Sequence, residues 1–359
     1  MSARSNDAQS IDQSLRSLLS RLMRGENLGR EEASHLLDAL LDDDVADAQI
    51  AAALVALALK GETVDELAGM AEAMRARAVQ INSKHKRFID TAGTGSSRAK
   101  TFNVSTAAAF VIAGAGLPVA KHGSRAATSR SGSADVLAAL GVNVNASPEV
   151  SERCLNEIGI CFMFAPLYHG ATARVAGIRR QLGVHTTFNL LGPLTNPARA
   201  PRQIIGVWHA SLVEPLAHVL ARLGTERAWV VHGADGLDEI TIADRTFVTE
   251  VCEGAVDSFE VTPLAFGLEV ASIENLRGGD AGENATIIRA VLDGTRRDSA
   301  RSLVVANAAA ALYVGGVSGN SLDAASLAEQ SIDSGAAMQK LTQLIHETNS
   351  ECGGSAPLS

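Results

Sequence analysis

The chain has 359 residues, 46% apolar and 20% charged, a length and balance that fit an ordinary globular protein of about two domains. Forty acidic residues against 31 Lys and Arg give a formal charge of −9, which argues against a general nucleic-acid binder but leaves room for a locally basic pocket. Four cysteines without a C-x-x-C pair argue against structural zinc, and no signal-like segment or run of about 18 apolar residues is present, so a cytoplasmic protein away from membranes is expected.

Residues 10–80 read as helices. REEASHLLDALL (30–41) places Ala33, Leu36, Leu37, Leu40 and Leu41 at helical spacing. Residues 46–60 are Ala/Leu-rich and nearly continuous, as a buried helix would be. Thr63 and Glu66 form a capping-box pattern for a helix running to about Val79. Aromatics are only 4%, so the core must be built from Ala, Val, Leu and Ile.

From Phe88 onward short apolar runs alternate with helical patterns. The runs are 117–120, 161–164, 204–208, 229–231 and 246–251; the helical stretches are 106–115, 133–140, 148–158 and 212–223. This alternation predicts an α/β sheet with parallel pairs and right-handed crossovers. LLGPLTNP (190–197) carries two prolines and a glycine, and reads either as a join between domains or as a rigid turn within one. Residues 281–350 return to helix, and 353–359 read as a frayed tail.

Chemistry concentrates in residues 90–139. The first loop, Gly93-Thr94-Gly95-Ser96-Ser97, follows the apolar Phe88–Ile89 pair and leads to Thr101 and to Asn103-Val104-Ser105-Thr106, which can cap the next helix. Its glycines permit close backbone approach, and its hydroxyls can donate to phosphate oxygens. The second loop, Lys121-His122-Gly123-Ser124-Arg125, continues through Ala126 to Ser133. Taken singly, each reads equally as a surface turn. Together, about 25 residues apart, they suggest a ligand with two anionic groups. Neither matches a Walker loop or a G-x-G-x-x-G fingerprint.

Downstream, Asp238 and Glu239 are adjacent in HGADGLDE, after an apolar run. From a loop both can face a hard cation such as Mg²⁺, which favours one or two carboxylates completed by phosphate and water; a solvated acidic loop is the other reading. His169 and Arg179 lie ten residues apart in YHGATARVAGIRRQLG, close to three helical turns, so one helix face could carry both, or simply be solvated. No nucleophile–base pattern is present.

Taken together these segments resemble the anthranilate phosphoribosyltransferase family, whose D-x-x-GTGGD, N-x-ST, KHGNR, SGSAD, FNLLGPLTNP and DGLDE segments recur here in order across nearly the whole chain. The resemblance implies a nucleoside phosphorylase/phosphoribosyltransferase-type α/β fold. A small helical domain (1–85, completed by helices near 165–190) would precede a large α/β domain (86–359) with a central, mostly parallel sheet flanked by helices, and the protein would be a homodimer. It implies that Gly93, Ser96, Ser97, Thr101, Asn103, Val104, Ser105 and Thr106 bind 5-phosphoribosyl-1-diphosphate. Lys121, His122, Gly123, Ser124, Arg125, Ala126, Ala127, Thr128, Ser129 and Ser133 would bind the same donor. Ser105, Asp238 and Glu239 would hold Mg²⁺. Gly93, Ser124 and Arg179 would contact anthranilate, with His169 lining its approach. Lys121 would support the leaving group, and no covalent intermediate is expected. Three departures stand out: Ser96-Ser97 replace a Gly-Asp pair, Ser124 replaces an asparagine, and His185 replaces an arginine. A same-fold enzyme with another acceptor, a nucleoside phosphorylase, or a non-catalytic nucleic-acid-binding relative are the alternatives.

Overall fold

The structure, a computed structural model, describes residues 2–95, 99–126 and 130–350, with side chains from residue 13 onward. Ser96, Ser97, Ala127, Thr128 and Ser129 of the candidate loops, and the tail 353–359, lie outside the described residues.

Four helices precede the first strand: α1 (Ser2–Met23), α2 (Arg30–Leu40), α3 (Asp47–Lys60) and α4 (Val64–Arg77). The capping box at α4 forms as expected, with Thr63 accepting from the Glu66 N–H. Glu66 does more than cap. Fully buried, its carboxylate accepts from Thr63 N, Leu28 N and Lys60 Nζ, each at 2.8 Å, tying three helix ends together. Helices α2 and α4 touch through Gly69, where a Cβ would stand 1.9 Å from the Arg30 carbonyl oxygen.

The α/β region follows in strict alternation. Strand β1 (Ile89–Gly93) leads through α5 (Val104–Gly114) to β2 (Val119–Gly123). Helices α6 (Ser133–Ala139) and α7 (Pro148–Glu157) lead to β3 (Ile160–Phe164). The chain then makes α8 (Ala165–Tyr168), α9 (Ala173–Leu182) and α10 (Thr187–Leu194) before returning as β4 (Arg202–Gly206). Helix α11 (Val213–Arg222) crosses to β5 (Arg227–Gly233), and β6 (Thr246–Cys252) with β7 (Ala255–Val261) closes the sheet. Helices α12 (Ala281–Leu292), α13 (Ser299–Val314), α14 (Ser321–Asp333) and α15 (Ala336–Asn349) complete the described chain.

Among the described residues the sheet has seven strands in the order β3-β2-β1-β4-β5-β6-β7, parallel through β5 and antiparallel for β6 and β7. Strand order reverses between β1 and β4, which makes the carboxyl ends of those strands the natural ligand crevice. Side chains alternate across the sheet as a strand period of two requires. Ile204, Trp229 and Val231 join one core with the Ala-rich α5 and α13. Ile205, Ala228 and Val230 join a second core that also contains Leu36, Leu54, Val175 and Phe188. The N-terminal helices therefore share their core with α9, α10 and one sheet face. No helix among the described residues is long and apolar enough to cross a membrane.

Two elements differ from the sequence reading. LLGPLTNP contributes the end of helix α10, with Pro193 inside it. Burial of Phe188, Leu190, Leu191 and Leu194 and the Thr186–Asn189 cap hold the helix despite the amide that proline lacks. Strand β7 was not anticipated, because its sequence AVDSFEV is polar and mostly exposed. It is fixed by the two-residue turn Glu253-Gly254, both at positive φ, which suits a tight hairpin.

Candidate active site

The carboxyl ends of β1 and β2, the N-termini of α5 and α6, the loop after β5 and the stretch α8–α10 surround one cleft of about 1280 Å³. Of the expected site residues that are described, Gly93, Thr101, Asn103, Ser105, Thr106, Lys121 to Ala126, Ser133, His169, Arg179, Asp238 and Glu239 all line it. Val104 does not: it is fully buried in the core at the first position of α5.

The acidic pair reaches the cleft because β4 ends in Gly206. A Cβ there would lie 1.6 Å from the Asp238 carbonyl oxygen, so only glycine lets the DGLDE loop pass so close to the sheet. Glu239 Oε1 accepts from the Ser105 backbone N–H at 3.0 Å, placing a carboxylate against the positive N-terminus of α5. Its other oxygen, Oε2, is buried without a hydrogen-bond partner. Burial, then the neighbouring Asp238 charge, push the Glu239 carboxyl up to about 8. A cation placed opposite the pair would reverse both causes. Among the described residues no group of three or more His, Cys, Asp or Glu gathers as a complete metal cage. A site of this kind therefore needs ligand oxygens from elsewhere, the pattern expected of Mg²⁺ shared with phosphates.

Lys121 is buried on β2 and donates to the Thr91 carbonyl at 2.5 Å, with Ser105 Oγ at 3.5 Å. Burial lowers its pKa, against the pull of Asp90 and Glu239. Asp90, on β1, is fully buried and pushed up to about 6 by that burial. It accepts from the His122 N–H at 3.2 Å and from Asn196 Nδ2 at 2.7 Å, and so holds the start of the second loop.

The second loop is closed by Asp135. Its carboxylate accepts from the N–H groups of Ala126 and Gly132 and from Arg125. Asn103, expected to cap α5, makes no side-chain cap bond. Its amide instead spans the cleft floor, donating to the Ser131 carbonyl and accepting from Asn284 at 2.9 Å.

His169 and Arg179 do not share a helix face. His169 follows the short α8, whereas Arg179 sits in the last turn of α9, because the chain breaks at 169–172. Folding of α8 and α9 over the cleft brings both to it nonetheless. The His169 ring lies tilted against that of His122, centroids 5.1 Å apart, and both Nε2 atoms are buried without partners. Burial depresses both histidines, His122 to about 3 and His169 to about 4, so the pair is neutral near pH 7. His185 lies outside the cleft lining, exposed and stacked 4.7 Å from Trp208.

Sequence reading missed several lining residues. Gly192 and Pro193 come from 190–197, read as a join between domains or a rigid turn, and Phe188 and Asn189 come from just before it. Arg277-Gly278-Gly279 and Asn284 come from a region with no flanking strand to flag it, although the double glycine was a usable signal.

Two family descriptions match the chain: "Glycosyl transferase family, helical bundle domain" over residues 16–78 and "Glycosyl transferase family, a/b domain" over residues 85–338. The anthranilate phosphoribosyltransferase of Moorella thermoacetica is 50% identical over 331 residues, covering 92% of this chain and 97% of that protein. Among solved structures, the anthranilate phosphoribosyltransferase of Thermus thermophilus superposes with a TM-score of 0.87 at 40% identity, covering 92% of this chain and 99% of the other. The Saccharomyces cerevisiae enzyme in complex with PRPP and Mg gives 0.86 at 27% identity, covering 94% and 98%.

Proposed function

The chain belongs to the anthranilate phosphoribosyltransferase family, and from that premise we propose that it transfers the 5-phosphoribosyl group of 5-phosphoribosyl-1-diphosphate to the amine of anthranilate in tryptophan biosynthesis. The observation that carries this reading is the meeting of three unlike surfaces in one cleft. They are the hydroxyl- and amide-rich loops after β1 and β2, the Asp238-Glu239 pair, and the partly buried Arg179.

The two loops bind the diphosphate and the 5-phosphate of the donor. Gly93, Thr101, Asn103, Ser105, Thr106, Lys121 to Ala126 and Ser133 contribute, as do Ser96, Ser97 and Ala127 to Ser129. Asp238, Glu239 and the Ser105 hydroxyl hold Mg²⁺; the unpartnered Glu239 Oε2 and the mutual repulsion of the two carboxylates fit that role. When bound, Mg²⁺ offsets the negative charge of the diphosphate. Arg179 takes the anthranilate carboxylate. Gly93 and Ser124 contact the acceptor, and His169 and His122, both neutral, line its approach without repelling the amine.

In the reaction the amine lone pair forms a bond to C1 of the ribose while the C1–O bond to pyrophosphate breaks. The electron pair leaves with pyrophosphate, and the nitrogen, cationic once bonded to C1, gives its proton to water. Lys121 and the N-terminus of α5 stabilise the departing charge. Positioning supplies much of the rest, because a neutral aromatic amine needs no activating base.

Pyrophosphate release from the donor in the presence of Mg²⁺ should depend on added anthranilate; no anthranilate-dependent release at saturating donor overturns the reading. Asp238→Ala combined with Glu239→Ala should lower that turnover by about 10²-fold or more.

We also assign residues 1–85, completed by helices near 165–190, to one domain and 86–359 to the other. The assignment rests on the core that Val175, Ile178 and Phe188 share with the N-terminal helices. The chain forms a homodimer through the helical unit, whose Met23 and Leu59 are 76% and 84% exposed and unaccounted for by the monomer.

A further inference from the structure

Arg179 is partly buried at the edge of the cleft and is held there without an ion pair. Its Nη2 donates to Asn189 Oδ1 at 3.0 Å, and its charge lies 5.5 Å from the centre of the Phe188 ring. Nε is buried with no partner, and among the described residues no carboxylate stands within pairing distance. Two other partly buried arginines are neutralised, Arg227 by Glu250 at 2.7 Å and Arg301 by Asp333 at 2.8 Å, whereas Arg75, which donates to the Leu194 carbonyl away from the cleft, is like Arg179 in having no ion pair among the described residues. Burying a cation without a counter-charge costs stability unless a ligand supplies one.

Asn189 is placed to do this by its own helix. As third residue of α10 it completes the cap, and the same Oδ1 accepts from the Thr186 N–H at 3.1 Å. One neutral oxygen thus fixes both the start of α10 and the direction of Arg179. An aspartate would suit the cap equally well, since acidic side chains favour a helix N-terminus. It would also neutralise the guanidinium before any acceptor arrived.

Building on the acceptor reading of Arg179 above, we propose that Asn189 is a positioning residue for acceptor recognition. It aims Arg179 through a neutral contact and so keeps the full positive charge of the guanidinium, and its free Nε–H, for the carboxylate of an aromatic amino acid-like acceptor. Phe188 steadies the guanidinium plane by a cation–π contact that likewise adds no negative charge. Selectivity for a carboxylate-bearing acceptor over an uncharged aromatic amine follows from that withheld counter-charge.

The test is a pair of substitutions at one position, read as a split between acceptor and donor. Asn189→Asp keeps the shape and the Thr186 cap. It should raise the KM for anthranilate at least tenfold and leave the KM for the donor within about twofold. Asn189→Ala frees Arg179 without introducing a charge, and its anthranilate KM should fall between wild type and the aspartate variant. A purely structural role predicts the opposite order, with alanine worse than aspartate and donor and acceptor affected alike; that order, or an unchanged anthranilate KM in Asn189→Asp, overturns the proposal. Arg179→Gln separates the two levels. If it leaves the anthranilate KM unchanged, the acceptor role of Arg179 itself fails. If it raises that KM while Asn189→Asp does not, only the role of Asn189 fails.

Discussion

His122 and His169 illustrate how single residues carry both stability and site character. Both are buried, in ring contact with each other and depressed well below the ordinary histidine range. In the folded protein they remain neutral at pH values where the unfolded chain binds protons on both. Their contribution to stability is therefore present above about pH 6.5 and is lost as pH falls toward 4. Denaturant unfolding between pH 7 and pH 4.5 should show His169→Gln losing stability less steeply than wild type. The difference in slope should approach 1.4 kcal/mol per pH unit, the linkage value of one proton. Parallel curves would show that His169 titrates as freely folded as unfolded. The identity of these histidines was legible in KHG and YHG, but their pairing was not. It depends on β2 and the α8–α9 junction meeting in space, and nothing local to either segment encodes that.

At the scale of elements, glycine at strand ends decides where chemistry sits. The register pairs Gly93 with Gly206 at the ends of β1 and β4. Because a Cβ at Gly206 would collide with the Asp238 backbone, Gly206→Ala must push the DGLDE loop away from the sheet. Turnover at fixed Mg²⁺ should fall at least tenfold, with the apparent Mg²⁺ requirement raised and the far-ultraviolet circular dichroism unchanged. Wild-type Mg²⁺ dependence in that variant would mean that the loop relaxes without moving its carboxylates. Helix α10 teaches a related lesson. Its second half, within 190–197, read as a join or a rigid turn because proline and glycine dominate it locally. Burial of its apolar face outweighs that propensity, and its first turn carries Phe188 and Asn189 into the cleft.

For the whole molecule, the helical N-terminal residues and the sheet are joined by one shared core, so the cleft is bounded by parts of the chain far apart in sequence. Met23 of α1 and Leu59 of α3 stay exposed among the described residues. Leu59→Glu should convert a dimer into monomers in sedimentation velocity at micromolar concentration; an unchanged dimer would move the interface elsewhere. The sequence by itself determined the alternation of strand and helix, the two glycine- and hydroxyl-rich loops, the acidic pair and the family. These are local properties, set by periodicity, glycine placement and motif spacing. The tertiary structure alone decided that Asn103 bridges rather than caps, that Asn196 ties down Asp90, and that Asn189 aims Arg179. The first two join segments well separated along the chain, which only packing of the helices onto the sheet brings within hydrogen-bond reach, and the third depends on how the consecutive helices α9 and α10 turn against each other.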